Sequence, residues 1–546
     1  LKDLAAFDEA FFAAPACLWR AGLRRRDFSA RELLDALWAR ILERNPPLNA
    51  LVAWDEDAAR RAADESDGRL ARGEGRALEG LPISIKDSFA TAGLTTACGA
   101  EELADYRPEE DALAVARLRA AGAIIVAKSN VPRLTGDFQT YNSLYGVTCN
   151  PFDLQRSPGG SSGGAAASVA AGLAAFELGS DLGGSIRWPA HSCGLFGLKT
   201  SWSQIPMLGH IPPLPAVKLK SPPDLGVAGL IARSAEDLNL ALSVVAGPVN
   251  AIGRQETPVF RRAIGPAFLA RPRHDRPQDW RVALWLEPGF APVDSEVEQG
   301  VLLAADCFRA AGVQVEPARP DFAFAEALEI YAFLNFAIGF AGSPPELREA
   351  IAARENFAAD DLSWTALQAR AARFDAAAFS RITEGRARIK RAFTDFFLTY
   401  DAILCPPAPC LALEHDHSPD FFARRIEIRS GAISSEVDAG SREDPKGRVS
   451  EYASKQESGA PIRYNRIGKG SSVLPYYDLL KWASLAALAH LPAAVAPVVP
   501  GVSGLPRGAQ IICAFDQDRS AIALAGLLEQ TCGGFRAPAF PFGTAV

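Results

Sequence analysis

The sequence predicts an α/β layer protein, and three observations carry the prediction. Short apolar runs of strand length alternate with amphipathic helical patterns along most of the chain. At 546 residues the chain is long enough to bury a large core. Its composition, 48% hydrophobic and 22% charged, is that of an ordinary globular protein, without a disordered or membrane bias.

Taken in order, the first element is a helix from about Ser29 to Arg44. Ser29 and Glu32 form a capping box, and Leu33, Leu34, Leu37, Trp38, Ile41 and Leu42 recur at helical spacing. Pro46 and Pro47 are expected to stop it. An Ala/Arg-rich helix follows from Glu56 to Arg72, and LPISIKDSF reads as a buried strand carrying Lys86 near its end. A lysine there either snorkels to solvent or is buried at a cost that calls for a functional reason. Asp111 to Ala121 reads as a helix leading into the strand AGAIIVAKSN, and LTGDFQTYNSLYGVTCNPFD lacks any period and is expected to be a loop. Beyond a proline-rich excursion, LIARSAEDLNLALSVVAG returns to helix with Ser234 as its N-cap.

A second strand–helix–strand unit begins at WRVALWLEPG and continues through a helix from Asp294 to Ala311 into VQVEPARP. Phe322 to Tyr400 is mostly helical in pattern and is expected to pack as a cap. YDAILCPPAP resumes a strand, and a helix near Tyr477 to His490, the run LPAAVAPVVPG and the strand GAQIICAF close the chain. Residues from about 413 to 472 are polar and Gly/Ser-rich, either an active-site lid or a surface insertion. Three segments are therefore expected: an N-terminal helical part over 1–75, a core over 76–250, and the remainder over 251–546 with the cap and the insertion.

The formal charge of −7 argues against nucleic acid or anionic membranes as partners. Arg24, Arg25 and Arg26 read as a solvated helix face. Nine cysteines without a CxxC pair point to free thiols and a cytoplasmic setting, and no metal set is evident. His415 and His417 lack a third ligand and read as surface. No run reaches the roughly 20 apolar residues that span a bilayer. The first twenty residues carry acids within their apolar part, unlike a secretory signal.

The chemistry concentrates between Ser157 and Thr200. Two serines are flanked by glycines, Ser161 in GGSSGG and Ser185 in LGGSIR. Glycines clear room beside a hydroxyl and free backbone N–H groups to point at a substrate. Neither loop has phosphate-binding spacing, and no lone serine sits in a G-x-S-x-G elbow with a dependable His/Asp set. A serine hydroxyl needs a base; His191 lies six residues beyond Ser185 but nothing in the sequence orients it.

SPGGSSGG, GSDLGGSIR and GLKT, with PISIKDSF upstream, closely resemble the amidase signature family, most strongly from about Gly80 to Gly247. The family's last motif usually ends Lys-Pro, whereas here it is Lys199-Thr200, a departure outside the chemistry. The resemblance implies a mixed, twisted β-sheet sandwiched by helices and a Ser–Ser–Lys triad. Ser185 is then the nucleophile, Ser161, after a cis peptide from Gly160, relays the proton, and Lys86, its pKa lowered by burial, is the base. The N–H groups of Leu182, Gly183, Gly184 and Ser185 form the oxyanion hole. Asp181 and Arg187 pair to hold that loop, Ser162 completes the hydrogen bonds around Lys86, and backbone near Thr135 lines the pocket.

No metal or organic cofactor is implied. The implied partner is a small amide, with a homodimer left open as the assembly. Aromatic residues near the motifs, Phe138, Tyr141, Tyr145, Trp188 and Trp202, suit a hydrophobic or aryl amide, with esters and carbamates as relatives, or are simply core. The alternatives are a glutaminase subunit of a tRNA-dependent amidotransferase and a non-catalytic binding module of the same fold.

Overall fold

Strand residues of this protein alternate between two apolar layers, and that alternation dictates the architecture. In the segment Ala402–Cys405, Ala402 and Leu404 enter one core while Ile403 and Cys405 enter another. Val282 and Leu284 likewise face the first core and Ala283 the second. A sheet apolar on both faces must be covered on both, so helices flank it on either side.

The structure is a computed structural model that describes residues 7–215, 223–247, 269–287, 289–340, 343–354, 357–358, 360–430 and 470–539. Its strands are β1 (Leu51–Ala53), β2 (Pro82–Lys86), β3 (Ile124–Ser129), β4 (Tyr141–Asn142), β5 (Gly146–Val147), β6 (Phe176–Asp181), β7 (Phe196–Lys199) and β8 (Val227–Ala232). They continue as β9 (Arg281–Leu284), β10 (Gln314–Pro317), β11 (Ala402–Cys405), β12 (Arg425–Ser430), β13 (Gly470–Pro475), β14 (Ala493–Val498) and β15 (Arg507–Cys513). Eleven of these form one mixed sheet in the order β1-β3-β2-β6-β8-β7-β14-β15-β11-β9-β10. β2 runs parallel to both β3 and β6, whereas β6, β8, β7, β14 and β15 pair antiparallel in succession.

The α/β expectation and the sheet's mixed character therefore hold, with details corrected. Ser29 caps its helix through the full capping box, but the helix runs Ala30–Leu48, through Pro46 and Pro47. The two prolines forfeit only amides of the last turn, and the carbonyl-bearing residues opposite them, Leu42 and Glu43, are exposed to water. Leu42 is 68% exposed and is not part of the buried stripe. The chain leaves the helix at Asn49, whose φ of 50° is a left-handed terminator. Arg24 to Arg26 are exposed, as a solvated face requires.

The Ala/Gly-rich stretch between the two serines contains an unforeseen helix, Gly163–Ala170, and the central strand β6. The segment read as mostly helical contains the helices Phe324–Phe340, Pro345–Ala352, Trp364–Ala372 and Ala376–Phe396. Of the polar insertion, residues 431–469 lie outside the described residues; its flanks pair as the antiparallel hairpin β12–β13. The cysteines are not all free. Cys307 and Cys532 join the helices Ser295–Ala310 and Asp518–Cys532 as a disulfide, a pairing that a sequence separation of 225 hides from a reading of spacing. The other seven are free thiols. Among the described residues no helix is long and apolar enough to cross a membrane.

Candidate active site

The site lies beyond the C-terminal ends of the parallel strands β2 and β6, where chain leaving a parallel pair opens a crevice. Lys86 ends β2; Ser180 and Asp181 end β6, and the loop carrying Ser185 follows at once. Lys86 is wholly buried, so it does not snorkel. Its Nζ contacts Ser161 Oγ at 2.7 Å, Ser180 Oγ at 3.0 Å and Ser180 O at 3.3 Å. Burial pulls its pKa down to about 7, against the opposing pull of Cys98, Asp181 and Glu177. A substantial neutral fraction therefore exists at ordinary pH.

Ser161 is buried and follows a cis peptide from Gly160. Gly160 is required by crowding. A Cβ there would stand 2.6 Å from Phe138 C, 2.7 Å from Asp137 O and 2.7 Å from Gln139 N, all backbone atoms that cannot rotate aside. Gly160→Ala is thus expected to displace Ser161 and abolish modification of Ser185 by a fluorophosphonate, read by intact-protein mass. Ser162 donates its Oγ hydrogen to Ser180 O at 3.4 Å, the carbonyl that also accepts from Lys86. It thus reaches Lys86 through a shared acceptor rather than directly. Its backbone N–H donates to Ser185 O at 3.2 Å, tying the two serine loops together.

Ser185 is half-buried, and its hydroxyl makes no hydrogen bond among the described residues. The loop before it turns at Gly184, whose φ of 104° favours glycine. Asp181 organises this turn. Its carboxylate accepts from the N–H groups of Gly184 at 2.9 Å, Ile186 at 3.1 Å and Arg187 at 3.3 Å. It also takes two bonds from the Arg187 guanidinium, at 2.8 and 3.0 Å, with both side chains fully buried. Burial opposes ionisation of Asp181, but Arg187 outweighs it and holds the carboxyl well below the usual range. Arg187 continues to Ala483 O and Gln510 Oε1, each at 2.8 Å, anchoring the loop to a helix and to β15.

This arrangement corrects the expected donor set. The N–H of Gly184 is committed to Asp181, which leaves Leu182, Gly183 and Ser185 with amides unbonded among the described residues. Thr135 sits half-buried with a φ of 60°, its N–H donating to Pro132 O at 2.8 Å. The chain just beyond it, Asp137 to Gln139, packs on Gly160.

His191 is removed from candidacy by its bonds. Gly508 N–H donates to its Nδ1 at 3.0 Å, so Nε2 carries the hydrogen that Cys410 O accepts at 3.1 Å. Buried with both nitrogens engaged, it has no lone pair for a serine, and burial lowers its pKa to about 4. His415 and His417 are half-buried rather than surface residues, and His417 stacks on Tyr141 at 4.1 Å. Among the described residues no group of three metal-ligating side chains is assembled.

The aromatic residues divide. Trp188 donates its indole N–H to Phe138 O at 2.9 Å beside the glycine pair Gly159–Gly160. Tyr141 accepts from Arg424 at 2.7 Å, and Trp202 stacks on His490, so these two serve other contacts. Tyr145 is half-buried, its N–H donating to Asn142 Oδ1 at 2.7 Å.

Four neighbours of the site escape the sequence reading. Leu480 and the Tyr331 hydroxyl close over Gly183, within 2.5 and 2.8 Å of where its Cβ would be. They come from two helices remote in sequence, and no local pattern marks them. Ser180 stands inside the GSD motif, where its side chain has no spacing cue. His210 joins Ser180 Oγ through Nε2 at 2.9 Å; a histidine in a proline-rich turn was its only signal.

A family model described as Amidase matches residues 32–429, well over half of the chain. A Glutamyl-tRNA(Gln) amidotransferase subunit of Roseiflexus sp. (strain RS-1) is 36% identical over 298 residues, covering 54% of this chain and 58% of that protein. The chain spans about half the length of the curated relatives it matches. A solved bacterial aryl acylamidase of the amidase signature enzymes superposes with a TM-score of 0.68 at 22% identity, covering 95% of this chain and 96% of that one. The solved 6-aminohexanoate cyclic dimer hydrolase bound to its substrate gives 0.67 at 24%, covering 95% and 97%. At such identities the two structures speak for the fold alone. Motifs, mixed sheet and family match agree, and the chain belongs to the amidase family, the amidase signature enzymes.

Proposed function

We propose that this protein hydrolyses the C–N bond of carboxylic amides through an acyl-enzyme on Ser185. The observation that carries the reading is the buried Lys86, its Nζ 2.7 Å from Ser161 Oγ and its pKa lowered to about 7. A neutral amine held against a serine is a base poised to accept a proton near neutral pH. Ser185 Oγ attacks the carbonyl carbon as its proton passes to Ser161, whose own proton passes to Lys86. The tetrahedral oxyanion is received by the N–H groups of Leu182, Gly183 and Ser185, donors typically worth about 3 kcal/mol each in such a transition state. Collapse expels the amine, which takes a proton back through Ser161, and water releases the acid by the reverse route. The Ser185–Ser161 link closes when substrate seats, as catalytic hydrogen bonds often tighten only on binding.

Hydrophobic or aryl amides are the proposed substrates, with carbamates and esters as variants of the same carbonyl chemistry. Leu480, Ala483 and Trp188 beside the Gly183–Gly184 turn support an apolar site wall. The test is release of 4-nitroaniline from a short-acyl 4-nitroanilide by the isolated chain. Release is expected; its absence from a protein whose Ser185 still reacts with a fluorophosphonate rejects the aryl-amide assignment while keeping the hydrolase.

One observation favours a second reading. The curated relative at 36% identity belongs to an amidotransferase, so a glutaminase role with partner subunits is the alternative. Hydrolysis of glutamine that depends on co-purifying subunits supports it, whereas anilide turnover by the chain alone, as a monomer or homodimer, opposes it. A binding module without catalysis is rejected by covalent labelling of Ser185.

A further inference from the structure

Lys86 has three hydrogen-bond contacts, and Ser180 supplies two of them. A neutral amine offers two hydrogens and one lone pair. The Ser180 carbonyl can only accept, so it takes one hydrogen. The Ser180 hydroxyl can either accept from Lys86 or turn its own hydrogen onto the lone pair. In the second case it competes with Ser161 for the electron pair that does the chemistry.

His210 decides between these. Its Nδ1 faces Pro212 O at 3.2 Å, and a carbonyl oxygen only accepts, so Nδ1 carries the hydrogen. Nε2 is then a bare lone pair, 2.9 Å from Ser180 Oγ, and takes the Ser180 hydrogen. The chain runs in one direction: Lys86 donates to Ser180 Oγ, and Ser180 donates to His210. The imidazole is held in place by the segment that carries it. Ile211 N–H donates to Ser88 O at 2.7 Å and Ala90 N–H to Gly209 O at 2.9 Å, clipping residues 209–211 to the chain leaving β2. The ring stands edge-on to Phe89 with centroids 4.8 Å apart. The ring is half-buried, and its desolvation, with the neighbouring Lys86 after it, lowers the His210 pKa and favours the neutral imidazole.

We propose that His210 is a positioning residue that draws the Ser180 hydroxyl hydrogen away from Lys86, leaving the lysine lone pair to Ser161. This rests on Lys86 being the base of the proposed hydrolase. The charged and titratable groups that act on Lys86 or His210 are Cys98, Glu177, Asp181 and Lys128. None of them touches the Ser180 hydroxyl, whose bonds go to Lys86 and His210.

The test is the rate of Ser185 modification by a fluorophosphonate, followed against pH in the full-length protein. His210→Phe is expected to lower the high-pH plateau about tenfold, the worth of one diverted hydrogen bond. It also moves the acid limb to lower pH, because a hydroxyl donating to Lys86 stabilises the neutral amine. His210→Gln, whose Oε1 can accept in place of Nε2, restores most of the rate. The distinguishing result is that adding Ser180→Ala to His210→Phe speeds modification, since it removes the competing hydrogen. His210→Met serves if the Phe variant does not fold. An unchanged profile, an acid limb moved to higher pH as water entry would produce, or a further fall in the double variant overturns the inference. If the wild type itself is not modified at Ser185, the hydrolase reading fails and this inference with it.

Discussion

Ser185→Ala is expected to eliminate fluorophosphonate labelling and to lower amide turnover by about 10^4-fold or more, the scale on which loss of a nucleophile is felt. The fold should be indifferent. Ser185 Oγ has no hydrogen-bond partner among the described residues, so its removal leaves no buried group unsatisfied. Its backbone contribution, the carbonyl accepting from Ser162, survives the substitution. A stability change of about 0.5 kcal/mol or less is expected, as for a side chain without structural contacts. Thermal unfolding and intact-protein mass after labelling check the two halves separately. Labelling that persists in Ser185→Ala places the nucleophile elsewhere and rejects the assignment.

Lys86 carries the second large effect. Lys86→Met keeps the apolar stem within its buried surroundings and removes the base; acylation is expected to slow by about 10^3-fold, within the range typical of a lost general base. Lys86→Arg should not rescue it, because a guanidinium stays protonated and has no lone pair to offer. The pH dependence carries a definite sign. Burial lowers the lysine from 10.5 to about 7, and only the deprotonated amine accepts a proton. The wild-type acylation rate should therefore rise with pH through about 7 and level above it. The Met variant should lose that limb. A rate falling through neutral pH, or a limb near the ordinary lysine value, rejects Lys86 as the base.

These expectations begin in residues that can be read in one dimension. Lys86 is visible because an ammonium at the end of the apolar run PISIK needs a reason to be there. Ser161 and Ser185 are visible because glycines crowd around them, and the structure supplies the cause: Gly160 has backbone atoms within 2.7 Å of a would-be Cβ, and Gly184 turns with positive φ. The capping box at Ser29 and the N-cap at Ser234 are local hydrogen bonds between near neighbours, and both form as read. Asp181 and Arg187 are six residues apart, close enough for the motif to suggest their pairing.

What failed was longer in range. β6 was hidden because Gly179, Ser180 and Asp181 do not look like a strand, yet all six of its residues are buried between β2 and β8. Burial from neighbours overrides weak β-propensity. The helix continues through Pro46 and Pro47, against the local expectation for proline, because solvent can meet the orphaned carbonyls. The amide of Gly184, a free donor by the motif alone, donates to Asp181, because a loop's hydrogen bonds are settled only when the loop is folded.

The sequence by itself determined the α/β class and singled out Lys86, Ser161 and Ser185, since glycine spacing and hydrophobic pattern are properties of neighbours along the chain; the roles proposed for the three come from the family resemblance. Only the tertiary structure decided which groups stand free and which are bound: His191 locked between Cys410 and Gly508, Cys307 joined to Cys532, and His210 brought against Ser180. Hydrogen bonds saturate. A donor or acceptor is available for chemistry only if the folded chain has not already used it.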